Sequence, residues 1–476
     1  QANNNLHWTP IVDQQGERDE HDTINYINTN GWKLESIAIN DTRTQATGTG
    51  SNHQQQPQSI FERIFSDILS HIEKGLGGIS HIFNGIGKRS TRSVNSPSAL
   101  TTVSTARSGL NEVANKRGFV LSKSTFVGSG QYAGTWLTKN SQWADMRQSI
   151  IGMLEYNLFG IPYVGADICG SNGVVTAELC KRWSQVGAFY PLSRNNHDNP
   201  NDPAQDPAVW AERGNQDVTK DAQTSLLVRY EVLPYLYTLF YKAHVFGNTV
   251  ARPLFHEFPT DPETYAIDQQ FMLGPVALVS PFLFENQTTV SAYIPDDVWY
   301  EPTQEFVKLY PHTGHQNLAD GQFPPVYLRG GHIIPMGFTG PANSQAIRDN
   351  PITMEVYPKN KQAKGDMFWD DGDSINAIEQ GRFNFFEMEL FPNCTVTITN
   401  KIKGYNTDKQ YVLGRVLVAN TQPANITATL DGKPVEPAIF KEEHNDITVN
   451  IDLNSAKLGQ TWVIEWQTTD GTCNLN

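Results

Sequence analysis

Apolar positions recur along this chain in three rhythms. From Arg117 to about Val245, strand-like runs alternate with amphipathic stretches: GFVLSKSTF, SQWADMRQSIIGMLEYNLFG, PYVGADICG, then TAELCKRWSQVGAFYPLSRN. Strand-then-helix order predicts parallel strands, with functional residues at their C-terminal ends if they close into a barrel. After Gly247 the rhythm shortens to alternating strands punctuated by Pro and Gly, as in AYIPDDVWYEP and PPVYLRGGHIIPMG. Two all-β domains are expected there, meeting near Thr339. The third rhythm is helical: Ile60, Phe61, Ile64, Phe65, Ile68, Leu69 and Ile72 form one wide apolar face over about 59–74. That face docks on the host domain, or on a membrane surface or partner.

These rhythms divide the chain into five segments. Residues 1–39 open with LHWTPIVD, read as a buried barrel strand. Residues 40–116 read as a polar low-complexity insertion around the amphipathic helix, with TGTGSNHQQQPQ before it and KRSTRSVNSPSALTTVSTARS after it. The Lys88–Arg89 pair in that tail reads as a proteolysis site. Residues 117–246 form the C-terminal half of a (β/α)8 barrel, 247–339 a proximal β-domain and 340–476 a distal one. The fold class expected is thus α/β plus all-β: an incomplete TIM-type barrel followed by two C-terminal β-sandwich domains.

Composition narrows the function classes. A chain of 476 residues exceeds what one core supports, and its net charge of −14 argues against nucleic acid, whose affinity rests on clustered Lys and Arg. No run of 18 apolar residues predicts a membrane span, and Gln1 reads as a processed start. Ten Trp and 17 Tyr suit either sugar stacking or a large β-rich core. Four cysteines, Cys169, Cys180, Cys394 and Cys473, with Asn-x-Ser/Thr at Asn40, Asn286, Asn393 and Asn425, favour a secreted or luminal glycoprotein. The cysteines lack C-x-x-C spacing and the histidines lack an H-x-x-x-H pattern, so neither a metal nor a cofactor is expected.

The run STFVGSGQYAGTW, with SIIGMLEYNLFGIPYVGADICG, ELCKRWSQVGAFYPLSRN, ARPLFHEFPTD, QFMLGPVALVSPFL, YLRGGHIIP and MFWDDGDS, resembles glycoside hydrolase family 31, the α-glucosidases, maltases and sucrase-isomaltase. The resemblance covers Arg117 to Asn476, and LHWTPIVD resembles an earlier barrel strand of that family. The family's N-terminal β-domain and first barrel strands have no counterpart, so a partner chain or a missing N-terminal half would complete the barrel. The resemblance implies a disulfide between Cys169 and Cys180, which leaves Cys394 and Cys473 for each other. It also implies an α-glucoside or other glycan as ligand.

Retaining hydrolysis of an α-glucosidic bond requires two carboxyl groups about 5–5.5 Å apart, one as nucleophile and one as acid and then base. The family nucleophile lies in a Trp-x-Asp-Met-Asn-Glu strand end, which this sequence does not contain. The acid/base is the Asp of His-Trp-Leu-Gly-Asp-Asn. This chain writes TWLTKN, placing Thr135 at that His and Lys139 at that Asp. Lys123 stands where the family has an Arg, and Ser171 where an aromatic is usual. Asp167 matches the sugar-hydroxyl-binding Asp, Trp136 the stacking Trp, Arg194 the Arg of the Arg-Asn-His segment, and His197 its His if Asn196 is an insertion. Asp167 and Trp136 equally admit plain structural roles, as a carboxylate satisfying backbone N–H groups and as a core ring. No catalytic residue is assigned. The expectation is an α-glucosidase-like glycoprotein without hydrolase activity that binds carbohydrate or serves structurally. The alternatives are part of an active α-glucosidase completed from outside this chain, or an enzyme recruiting Glu62, Asp67 or Glu73 from the insertion.

Overall fold

The computed structural model describes residues 24–27, 97–137, 139–199, 201–302, 307–320, 323–337, 343–350 and 352–405, together with 413–418, 424–435, 437–443, 446–451 and 461–467. The barrel portion runs β1 (Ile24–Ile27), α1 (Pro97–Ala114), β2 (Phe119–Ser122), β3 (Thr135–Leu137), α2 (Trp143–Leu158), β4 (Val164–Ala166), α3 (Ala177–Gly187), α4 (Pro207–Glu212) and α5 (Gln216–Phe246). β3 and β4 pair in parallel. Parallel bridges from Leu121 to Gly134 and from Asp167 to Arg194 extend the array on both sides. Four successive chain segments thus lie parallel, as the alternating pattern requires. β1 adds to β2 antiparallel. LHWTPIVD, the helix expected over about 59–74, the Lys88–Arg89 pair, Asn40 and Cys473 lie outside the described residues.

One part of the insertion reading is overturned. Pro97–Ala114, expected within the tail of a polar low-complexity stretch, is an 18-residue helix. Its Val103, Ala106 and Leu110 are buried, and Ala106 and Leu110 pack on Val120 of β2. The spacing i, i+3, i+7 marks a helical face. Six Ser and Thr between Pro97 and Ser108 dilute that stripe to the eye.

α5 joins the barrel to the two β-sheets beyond it. It has 31 residues, about 46 Å at 1.5 Å per residue. Tyr235 on it donates to the Leu273 carbonyl (3.0 Å), Thr238 Oγ1 accepts from the Phe368 N–H (3.1 Å), and Tyr237 donates to Asp370 (2.6 Å). Past its C-terminus, strands between Ala251 and Arg329 form a six-stranded sheet flanked by the pair 289–294 and 314–319. Strands from His332 to Gln467 form an eleven-stranded mixed sheet. Side-chain alternation is regular: NFFEMELF (Asn384–Phe391) buries every second residue. The two sheets divide between Arg329 and His332, ahead of Thr339, because HIIPM (His332–Met336) pairs with Ile352–Tyr357 and Ala363–Trp369. Strand partnership across that distance is not written in the local alternation of HIIPM.

Candidate functional site

Four consecutive parallel segments present Lys123, Trp136, Asp167 and Arg194. Lys123 follows β2, Trp136 lies in β3, Asp167 follows β4 and Arg194 lies on the segment bridged to Asp167. The strands approach closely because residue 165 is glycine: a Cβ there would lie 1.9 Å from the Leu192 carbonyl oxygen.

Asp167 is fully buried. Arg194 places Nε and Nη2 on the same oxygen, Oδ1, each at 2.6 Å. Oδ2 is buried and has no hydrogen-bond partner among the described residues. Burial pushes the Asp167 carboxyl up to about 6, outweighing the opposing charge of Arg194; Asp198 raises it further and Lys123 lowers it. Trp136 is only 7% exposed and packs with Leu121 and Leu192. The Arg194 guanidinium lies 4.9 Å and the Lys123 ammonium 5.4 Å from its ring centroid. The ring is therefore a partner of two cations, and only a sliver of it is open to stack a sugar.

The turn after β4 is held from three directions. Cys169 and Gly170 both have positive φ, and a Cβ on Gly170 would meet Ser141 N at 2.5 Å. Cys169 is bonded to Cys180 on α3, as the resemblance implied. Cys394 is also disulfide-bonded. Ser171 is fully buried, and its N–H and hydroxyl both donate to the Lys139 carbonyl, at 2.8 and 3.1 Å. Gln205 Nε2 lies within hydrogen-bonding reach of the carbonyls of Ile168, Gly170 and Asn196 and of Asn195 Oδ1. The main chain of Lys139 is thus zipped against the Asp167 loop. Its ammonium acts on Glu155 of α2, lowering a carboxyl that burial raises to about 7.

Of the residues expected from sequence, Lys123, Trp136, Asp167 and Arg194 come together. His197 does something else: its Nε2 lies 3.1 Å from the Gly173 carbonyl and 3.5 Å from Asp202, and its Nδ1 accepts from Asn199 N–H. These contacts brace a turn. Asp198 and Glu155 were missed by sequence reasoning. The signal for Glu155 was a lone carboxylate within an otherwise apolar stretch of α2; for Asp198 nothing local marked it. Asn286 and Asn393 are exposed, and Asn425 lies on the strand Ala424–Leu430.

Compared with known proteins, residues 14–239 match the model of the glycosyl hydrolases family 31 TIM-barrel domain and residues 247–334 that of the glycosyl hydrolase family 31 C-terminal domain. The chain is 38% identical over 361 residues to intestinal sucrase-isomaltase of Homo sapiens, covering 74% of this chain and 19% of that protein. It is 34% identical over 389 residues to lysosomal alpha-glucosidase of Rattus norvegicus, covering 77% and 40%. It therefore spans well under half the length of these curated relatives. Among solved structures it is similar in fold to a glucosidase II alpha subunit (TM-score 0.64, 24% identity, 74% of this chain and 40% of that one). It is likewise similar to the Flavobacterium johnsoniae GH31 dextranase complexed with glucose (TM-score 0.65, 24% identity, 77% and 48%).

Proposed function

Because the chain belongs to glycosyl hydrolase family 31, we propose that it is an α-glucosidase-like glycoprotein of a secretory or luminal compartment that holds a glycan at its barrel mouth without hydrolysing it. The observation that carries this reading is Lys139. It occupies the position the resemblance gives to the acid/base carboxyl, and its main chain is fixed there by Ser171. An ammonium cannot reproduce a carboxyl group that donates a proton and then accepts one from water with the same reach. Asp167, the carboxylate that the resemblance assigns to sugar hydroxyls, has one oxygen committed to Arg194 and is no substitute. Loss of general acid catalysis alone removes about 10²–10⁴-fold in rate, and loss of the covalent route removes more. The disulfide Cys169–Cys180 and the exposed sequons Asn286 and Asn393 support the oxidising, glycosylating compartment.

The second reading, part of an active α-glucosidase whose remaining catalytic residues lie outside this chain, is favoured by the limited share of the relatives that the chain spans. Hydrolysis of an aryl α-glucoside and of maltose by the purified protein separates the two. The expected result is no turnover above background, with saccharide binding that Asp167→Asn weakens. Turnover that Lys139→Ala abolishes would sink the non-hydrolytic reading.

A further inference from the structure

The mouth holds cations in an unusual arrangement. Lys123 and Arg194 come from the outer two of the four parallel segments, yet both reach the ring of Trp136 on an inner one. Arg194 is occupied by Asp167. Lys123 is exposed and forms no ion pair among the described residues. Its ammonium is nevertheless held over the indole, a placement that orients the charge while leaving it open to solvent. Here Asp167 is buried under Arg194, and Asp198 Oδ1 already accepts from Asn196 Nδ2 (3.0 Å). The exposed donor at the mouth is the Lys123 ammonium, whereas the carboxylates beside it are the buried Asp167 and the exposed Asp198.

We propose that the ligand is an acidic saccharide, a glycan bearing a carboxylate or sulfate group, whose anionic substituent pairs with Lys123 beside Trp136. The proposal rests on the glycan-binding reading and names the class of glycan. An anion supplies a counter-charge for Lys123, which forms no ion pair among the described residues, and an ammonium on an aromatic face is met at modest desolvation cost because it stays partly hydrated. Asp198 moderates the field, since its charge is felt at Asp167 together with that of Lys123.

The test compares matched probes by calorimetry or ligand-observed NMR on the whole chain: methyl α-glucoside, methyl α-glucuronide and glucose 6-sulfate. The acidic probes are expected to bind about tenfold more tightly than the neutral one at low salt, and this margin should shrink as ionic strength rises. Lys123→Gln should erase the margin between the acidic probes and the neutral one, and Lys123→Arg should keep it. Whichever acidic probe binds more tightly identifies the substituent. Equal or tighter binding of methyl α-glucoside, or a margin that survives Lys123→Gln in a variant with the parent's circular dichroism, overturns the acidic-ligand proposal and leaves the glycan reading standing. Absence of binding by all three probes overturns both.

Discussion

Asp167 and Asp370 are both fully buried carboxylates, one at the barrel mouth and one where the distal sheet meets the barrel, and the chain treats them in opposite ways. Asp370 is satisfied on every side. Its Oδ1 accepts from Tyr237 Oη (2.6 Å) and Gly372 N–H (2.9 Å), and its Oδ2 from Arg117 Nη2 (2.8 Å). Arg348 Nη2 adds a bond to its carbonyl. The neighbouring Asp373 repeats the attachment, accepting from Arg117 N–H at its carbonyl and from Lys116 Nζ at its side chain. Asp167, by contrast, has one oxygen crowded by Arg194 and the other without a partner among the described residues. A buried carboxylate with complete hydrogen bonding serves as a rivet between elements. One left half-satisfied stores cost, and such cost persists at positions a ligand or its neighbours use.

The largest effect expected from this contrast is at Asp370. Asp370→Ala leaves the Arg117 guanidinium and the Tyr237 hydroxyl with only their mutual bond (3.0 Å) among the described residues, removing the charge they share at the junction of β2, α5 and the loop after Ala363–Trp369. Removing one partner of a buried pair costs about 3–5 kcal/mol. Urea unfolding should show this as a lower midpoint, or as a separate transition for the distal sheet. A loss smaller than that of Asp167→Ala would break the comparison.

The second effect is smaller and has a pH signature. The Asp167 carboxyl titrates at about 6 in the folded protein and near 3.8 when unfolded, so between those values the native state holds more protons. Its contribution to stability is therefore present below about 3.8 and is lost as pH rises through about 6. Asp167→Asn removes that slope. Relative to Asp167→Asn, the parent should gain on the order of 2 kcal/mol in unfolding free energy between pH 7.5 and pH 4, measured as the difference between the two titrations. Parallel curves would mean that the Arg194 pair, not burial, governs this carboxyl.

The contrast also explains how far sequence reading reaches. Parallel strands, the helices Trp143–Leu158 and Ala177–Gly187, and the alternation in Asn384–Phe391 follow from local periodicity. The Lys123, Trp136, Asp167 and Arg194 cluster was legible because each residue sits in a motif whose family role is known, at the end of a recognisable strand. Asp370 lies within MFWDDGDS with nothing local to mark its role, since its partners are 253 and 133 residues away in sequence. The helix Pro97–Ala114 is hidden by the Ser and Thr that interrupt its apolar stripe, and HIIPM reads as part of the proximal domain because pairing across a domain boundary leaves no local trace. His197 departs from expectation for a related reason: motif alignment supplies a position, while the turn around Gly173 and Asp202 decides the contacts.

The smallest effect concerns Lys139 itself and the local task of its ammonium beside α2. Glu155 of α2 has a buried Oε1 without a hydrogen-bond partner among the described residues, and burial raises its carboxyl to about 7 while Lys139 pulls it back. Because the folded value exceeds the ordinary 4.5, the stabilisation is complete below about 4.5 and disappears as pH climbs through 7. Glu155→Gln should therefore match the parent near pH 4 and exceed it by about 1 kcal/mol at pH 8, the partial exposure of the group limiting the gain. Lys139→Met should shift the apparent titration of Glu155 upward and lose more stability at pH 8 than the parent does, an effect readable by carboxyl-selective NMR as well as by unfolding. If Lys139→Met leaves both unchanged, the Lys139 ammonium does not govern the Glu155 carboxyl.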